Sequence, residues 1–253
     1  MKPMKLVLLL ALAVLGAAFA LPERKTKVYL IGDSTIAQKE VRAYPETGWG
    51  TPFSHFFDST VEVDNRAKNG RSTRTFISEG LWQPVADALQ EGDYVFMQFG
   101  HNDEAKDKTD RYTTPEQYTA NLERFIAETR AKKAIPVLLT PVSRRKFDSS
   151  GRAVETHVVY SALVHDVARK TGVALVDLDV LSRQLYQQFG PETSKLLFLQ
   201  LAPGEHPNYP EGKNDNTHFS ELGARKIAQL VLQEVRRLDL GLARQIRKPV
   251  VKK

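Results

Sequence analysis

Cysteine is absent from the 253-residue chain. That excludes disulfides, thiolate metal sites and the lipid-bearing cysteine of a bacterial lipoprotein anchor. Long apolar runs are almost absent too. The one present, Leu6 to Leu15, follows Lys2 and Lys5 and leads to the small-residue stretch Ala18-Phe19-Ala20, the order of a secretory signal peptide. Pro22, Glu23 and Arg24 close it too early for a comfortable membrane span. Residues 1–20 are therefore expected to be a signal peptide, and 21–253 a single exported domain, periplasmic or secreted, with no stable membrane anchor. Without covalent staples, the remaining stretch of roughly 230 residues must bury a real core, which one domain of that size can do.

Basic motifs interleaved with aromatics are also missing, which argues against nucleic acid as a partner. Much of the basic excess behind the formal charge of +6 lies between Arg236 and Lys253, as a solvated helix end and tail. A cationic surface would still help to gather a polyanionic substrate. There is no internal repeat and no low-complexity linker, and the chain is expected to act as a monomer.

What is present is organised around Lys27 to Ser34. Val28, Tyr29, Leu30 and Ile31 form an unbroken apolar run, as expected of a parallel strand covered on both faces, and Gly32 permits a sharp turn that presents Asp33 and Ser34. In open α/β sheets ligands bind at the carboxyl ends of the strands, so Ser34 is expected to face a crevice. The loop Pro45 to Gly50 follows, where Trp49 is a candidate substrate platform. Short strands are then expected over Val61 to Asn65, Tyr94 to Met97, Ile135 to Thr140 and Val173 to Val176. Helices are expected over Pro115 to Lys133, Thr156 to Thr171, Leu181 to Phe189 and Glu221 to Leu238. The alternation predicts a three-layer α/β/α sandwich with a central parallel sheet of about five strands. The segment Pro191 to Asn216 reads as one long irregular loop.

Polar clusters recur where such a sheet would gather them: Gly32-Asp33-Ser34, Gly70, Gly100 to Asp103, and Asp215 to His218. A serine hydroxyl needs a base to become a nucleophile, and a histidine oriented by a carboxylate is the usual arrangement. Ser34, His218 and Asp215 can fill those roles. The backbone N–H groups of Ser34 and Gly70 and the side-chain amide of Asn102 are candidate donors for the oxyanion hole.

The motifs G-D-S-T at Gly32, N-x-A-x-x-G at Asn65 to Gly70, G-x-N-D at Gly100 to Asp103 and D-x-x-H at Asp215 to His218 resemble, in that order, the GDSL-type or SGNH hydrolase family. The resemblance spans essentially the whole mature chain and implies a flavodoxin-like strand order. Thr35 stands where the commonest first block has leucine. With the Gly48-Trp49-Gly50 loop, Gly70 to Phe76 and Phe99 to Asp103, it is similar to rhamnogalacturonan acetylesterases. What the resemblance implies is a serine esterase acting on acetylated plant cell-wall polysaccharide, with no metal or organic cofactor. Trp49, Arg74 and His101 are candidate substrate contacts, and arginine's paired donors would suit a galacturonate carboxylate.

Three alternatives stay open. One is an acetylxylan or other short-chain acyl esterase of the same family. A metal-dependent phosphoesterase would use Asp33, His101, Asp103, Asp215 and His218 as ligands, although Ile36 and the order G-H-N-D depart from that pattern. A non-catalytic carbohydrate-binding protein would need no nucleophile and base together.

Overall fold

The structure is a computed structural model describing residues 24–248. The expected signal peptide and the last residues of the basic tail lie outside the described residues. Five parallel strands build the central sheet: β1 (Thr26–Gly32), β2 (Val61–Asn65), β3 (Tyr94–Gln98), β4 (Ile135–Leu139) and β5 (Ala174–Val176). Their order is β2-β1-β3-β4-β5, the doubly wound arrangement in which the chain reverses direction beside β1.

Strand β1 shows why an unbroken apolar run was needed. Val28 and Leu30 point into one core, Tyr29 and Ile31 into the other, and all four are at most 1% exposed. The first core is covered by α1 (Gly50–Phe53), α6 (Leu178–Thr193) and α7 (Glu221–Arg237), whose apolar stripe includes Ile227, Val231 and Val235. The second is covered by α2 (Thr73–Ser78), α3 (Gln83–Ala88), α4 (Pro115–Ala131) and α5 (Val158–Thr171), with Phe125 against Phe76, Trp82 and Phe99. Thr114 caps α4 ahead of Pro115, and Asp177 and Ser220 cap α6 and α7.

Two expectations are corrected. The segment Pro191 to Asn216 is not one irregular loop, because Phe198–Leu201 forms β6 and pairs antiparallel with β7 (Lys213–Phe219). Asp215 and His218 consequently stand on a strand whose end is pinned by the Thr47 N–H donating to the Phe219 carbonyl at 2.9 Å. Alternation was hard to see in this ribbon, since β7 reads Lys-Asn-Asp-Asn-Thr-His before its one buried residue, Phe219. The second correction is Trp49. It is fully buried, edge-on to Phe53, and its indole N–H donates to Gln98 Oε1 at 2.8 Å. A side chain in that position packs the core and cannot serve as a substrate platform.

Among the described residues, no helix is long and apolar enough to cross a membrane.

Candidate active site

The nucleophile loop follows from close contact at Gly32. A Cβ there would sit 2.2 Å from the Gln98 carbonyl oxygen, so only glycine lets β1 turn this tightly against β3. Behind the turn runs a buried polar chain. Gln98 donates to the Thr35 hydroxyl at 2.6 Å, and Thr35 donates its hydroxyl and its N–H to Asp33 Oδ1 at 2.8 and 2.9 Å. With Trp49 at its far end, the chain explains Thr35: a leucine side chain there could neither accept from Gln98 nor add a second donor to Asp33 beside the backbone N–H. Asn65 fastens the other side, donating to the Ile36 carbonyl at 2.9 Å.

Ser34 is thereby left half-buried at the carboxyl edge of the sheet, where β7 brings His218 to it across 184 residues of chain. His218 Nε2 is 2.9 Å from Ser34 Oγ, and His218 Nδ1 is 2.8 Å from Asp215 Oδ2. With the Nδ1 proton drawn to the carboxylate, Nε2 is the acceptor for the serine hydroxyl. Asp215 Oδ1 accepts the N–H groups of Thr217 and His218 at 2.7 and 2.9 Å. Burial works to raise the Asp215 carboxyl, but the contact with His218 and these backbone donors outweigh it and hold the group well below the usual carboxylate range. Arg145, on the loop after β4, donates to Asn216 Oδ1 at 2.9 Å and so steadies the strand beside Asp215.

The remaining motif residues come to the same place. Gly70 has φ +75°, a left-handed conformation that suits glycine and turns the loop after β2 toward Ser34. Asn102 donates to the Arg71 carbonyl at 3.1 Å, tying the loop after β3 to the Gly70 loop. Asp103 does not join them. It is buried, its Oδ1 accepts from Thr73 N–H and Oγ1 at 2.9 and 2.6 Å, and burial pushes its carboxyl up to about 7. Ser34, Gly70, Asn102, His101 and His218 line one cleft of about 420 Å³.

Arg74 is not among the lining residues; it donates to the Thr109 carbonyl at 2.7 Å, which corrects the expectation of a substrate contact. Arg144 does reach the cleft, whereas Arg71 pairs with Glu79 at 2.8 Å. Lys108 and Arg111 also line it and were missed, because they sit in a polar loop with no pattern to single them out.

Lys39 was missed as well. Its side chain is 5% exposed, and its ammonium group donates to the Ser34 carbonyl at 2.6 Å and Asn69 Oδ1 at 2.8 Å and lies 2.7 Å from Glu46 Oε1. One buried charge thus joins the nucleophile loop to the loop of Gly70, and burial lowers its pKa despite Glu46.

His101 is 7% exposed, with Nδ1 3.3 Å from Asp33 Oδ2 and its ring 4.3 Å from that of His157. His157 in turn contacts Glu104 at 3.0 Å. Burial, then the neighbouring His157, brings His101 down to about 4, against the pull of Asp33 and with a smaller push from Arg144. Asp33 is held to about 2: burial opposes this, and His101 and the two donors from Thr35 overcome it. An unfolded histidine titrates near 6.5, so the folded protein resists protonating His101. The stability this contributes is complete above about pH 6.5 and is lost as pH falls toward 4. His101→Gln is expected to flatten that decline by roughly 3 kcal/mol between pH 7 and pH 4. Thermal denaturation of both proteins across that range checks it, and parallel curves would contradict it.

Among the described residues, no three His, Asp or Glu side chains are gathered as a metal site.

The sequence model of the GDSL-like Lipase/Acylhydrolase family matches residues 30–226. The chain is 41% identical over 220 residues to the rhamnogalacturonan acetylesterase RhgT of Bacillus subtilis (strain 168), covering 87% of this chain and 94% of that one. It is 35% identical over 220 residues to the probable rhamnogalacturonan acetylesterase YesY of the same organism, covering 87% and 96%. Among solved structures it resembles the protein YxiM of Bacillus subtilis, with a TM-score of 0.74 and 27% identity, over 87% of this chain and 58% of that chain.

Proposed function

The chain belongs to the GDSL-like lipase/acylhydrolase family, a family of carboxylic ester hydrolases, and from that premise we propose that it removes acetyl groups from acetylated rhamnogalacturonan through an acetyl-enzyme on Ser34. The observation that carries the reading is the relay from Ser34 Oγ to His218 Nε2 at 2.9 Å and from His218 Nδ1 to Asp215 at 2.8 Å, opening on a cleft.

Ser34 Oγ attacks the acetyl carbonyl carbon while His218 Nε2 takes its proton. Asp215 stabilises the imidazolium that forms. The carbonyl oxygen becomes an oxyanion, for which the N–H groups of Ser34 and Gly70 and the amide of Asn102 are the donors. Collapse expels the sugar oxygen, to which His218 returns the proton. Water, deprotonated in its turn by His218, then attacks the acetyl-serine, releases acetate and restores the hydroxyl. The residues of this chain supply the base, the charge stabilisation and the positioning.

Two features support an acidic polysaccharide as the carrier. The rhamnogalacturonan acetylesterase RhgT and the probable rhamnogalacturonan acetylesterase YesY align over nearly their whole length. Lys108, Arg111 and Arg144 line the cleft, while its one lining carboxylate, Glu46, is already paired with Lys39. The reading includes export, with residues 1–20 removed and the rest working as one domain.

Acetate release from acetylated rhamnogalacturonan, acetylated xylan and a short synthetic acetyl ester tests it. The pectic polymer is expected to give the highest kcat/KM, by about tenfold or more over xylan, which is the scale of one or two well-placed contacts. Equal or faster release from xylan would keep the esterase and discard the pectic substrate.

A further inference from the structure

The catalytic cleft reaches Arg144. A second groove, of about 530 Å³, opens on the far side, and His101, Lys108 and Arg144 line both. Val158 and Val159, at the start of α5, line it as well, 61% and 56% exposed. So does Lys106. Glu104 is taken up by Arg144 at 3.2 Å and His157 at 3.0 Å, which leaves Asp107 as the other lining acid, and neither Lys106 nor Lys108 is ion-paired among the described residues. The volume suits a small saccharide. The loop after β3 and the start of α5 therefore frame a space that adjoins the catalytic cleft, bears free cations and has an apolar patch.

We propose that this groove is a second subsite, which binds an unacetylated uronate unit of the same polysaccharide chain when the acetylated sugar stands at Ser34. Lys108 and Arg144, on the boundary between the two spaces, meet the uronate carboxylate. Lys106 adds charge farther out, and Val158 and Val159 meet the C–H face of the ring. The identity of the occupant rests on the acidic polysaccharide proposed above, whereas the groove itself rests on the lining residues. A neutral chain could use the valines but not the cations, so the subsite separates acidic from neutral carriers of the same acetyl group.

Exposed ion pairs contribute little one at a time, so the test changes charge and apolar contact together. Binding of an unacetylated oligogalacturonate is measured by calorimetry at low ionic strength, with the wild type and with Lys106→Glu/Val159→Asp. No turnover is involved, so failure to release acetate from pectin and failure of this subsite are read separately. The double variant is expected to raise Kd about tenfold or more, and Lys106→Glu alone, at an exposed loop position, about threefold. Lys132→Glu, an equal reversal of an exposed charge at the opposite end of the sheet, is expected to change Kd less than about twofold. Unchanged Kd in the double variant, the same loss from Lys132→Glu, no wild-type binding, or a neutral xylo-oligosaccharide bound as tightly would each overturn the proposal.

Discussion

Ser34→Ala is expected to lower kcat for acetate release by about 10⁵- to 10⁶-fold, the scale on which serine hydrolases lose activity with their nucleophile. The size follows from what remains. Without the hydroxyl no acetyl-enzyme forms, and water must attack the ester directly, aided only by the oxyanion donors and by binding. Stability should hardly change, because among the described residues the one side-chain hydrogen bond of Ser34 is that to His218, at the edge of an open cleft. The backbone of the loop is held independently by Lys39 at the Ser34 carbonyl and by the Asp33–Thr35–Gln98 chain. Kinetics on a synthetic acetyl ester beside a thermal denaturation curve separate the two effects. A loss smaller than about tenfold in a folded variant would remove Ser34 from the mechanism.

Asp215→Asn is expected to cost about 10⁴-fold in kcat with little change in KM. Asparagine is nearly isosteric, and its carbonyl oxygen can keep the N–H donors of Thr217 and His218 that now bond to Oδ1 at 2.7 and 2.9 Å. Its NH₂ group must then face His218 Nδ1. Two donors cannot share that contact, so the imidazole proton moves to Nε2, the nitrogen that must accept from Ser34. Charge is lost as well: Asp215 sits well below the ordinary carboxylate range, so in the wild type it is ionised throughout the neutral region and steadies the imidazolium. A variant with kcat within about tenfold of wild type would mean that Asp215 only shapes β7.

The sheet was legible because burial on both faces forces continuous apolar strands. Val28 to Ile31 and Tyr94 to Met97 could hardly be read otherwise, and helices such as Pro115–Ala131 carried both a cap and a periodic face. The motif residues were legible for a different reason, since Ser34, Gly70 and Asn102 each follow a strand at the same sheet edge and His218 stands just before the capped start of α7. What stayed hidden depends on pairing across long separations. Trp49 looked exposed in its Pro-Gly-rich loop, and its burial depends on Gln98, which is 49 positions away. Lys39 reads as an ordinary surface lysine until Asn69 and Glu46 are brought to it. The β6–β7 ribbon was hidden because most of β7 is polar, so neither the alternation nor the turn before it marked a strand. Lys108 and Arg111 face the cleft only because the loop after β3 folds back over it.

Active-site labelling with a phosphonate ester that mimics the tetrahedral intermediate, with the modified peptide identified by mass, asks directly whether Ser34 is the nucleophile. One adduct is expected, on Ser34, with acetyl-ester hydrolysis declining in proportion to its occupancy. Loss of activity without modification of Ser34, or full activity with Ser34 modified, would contradict it.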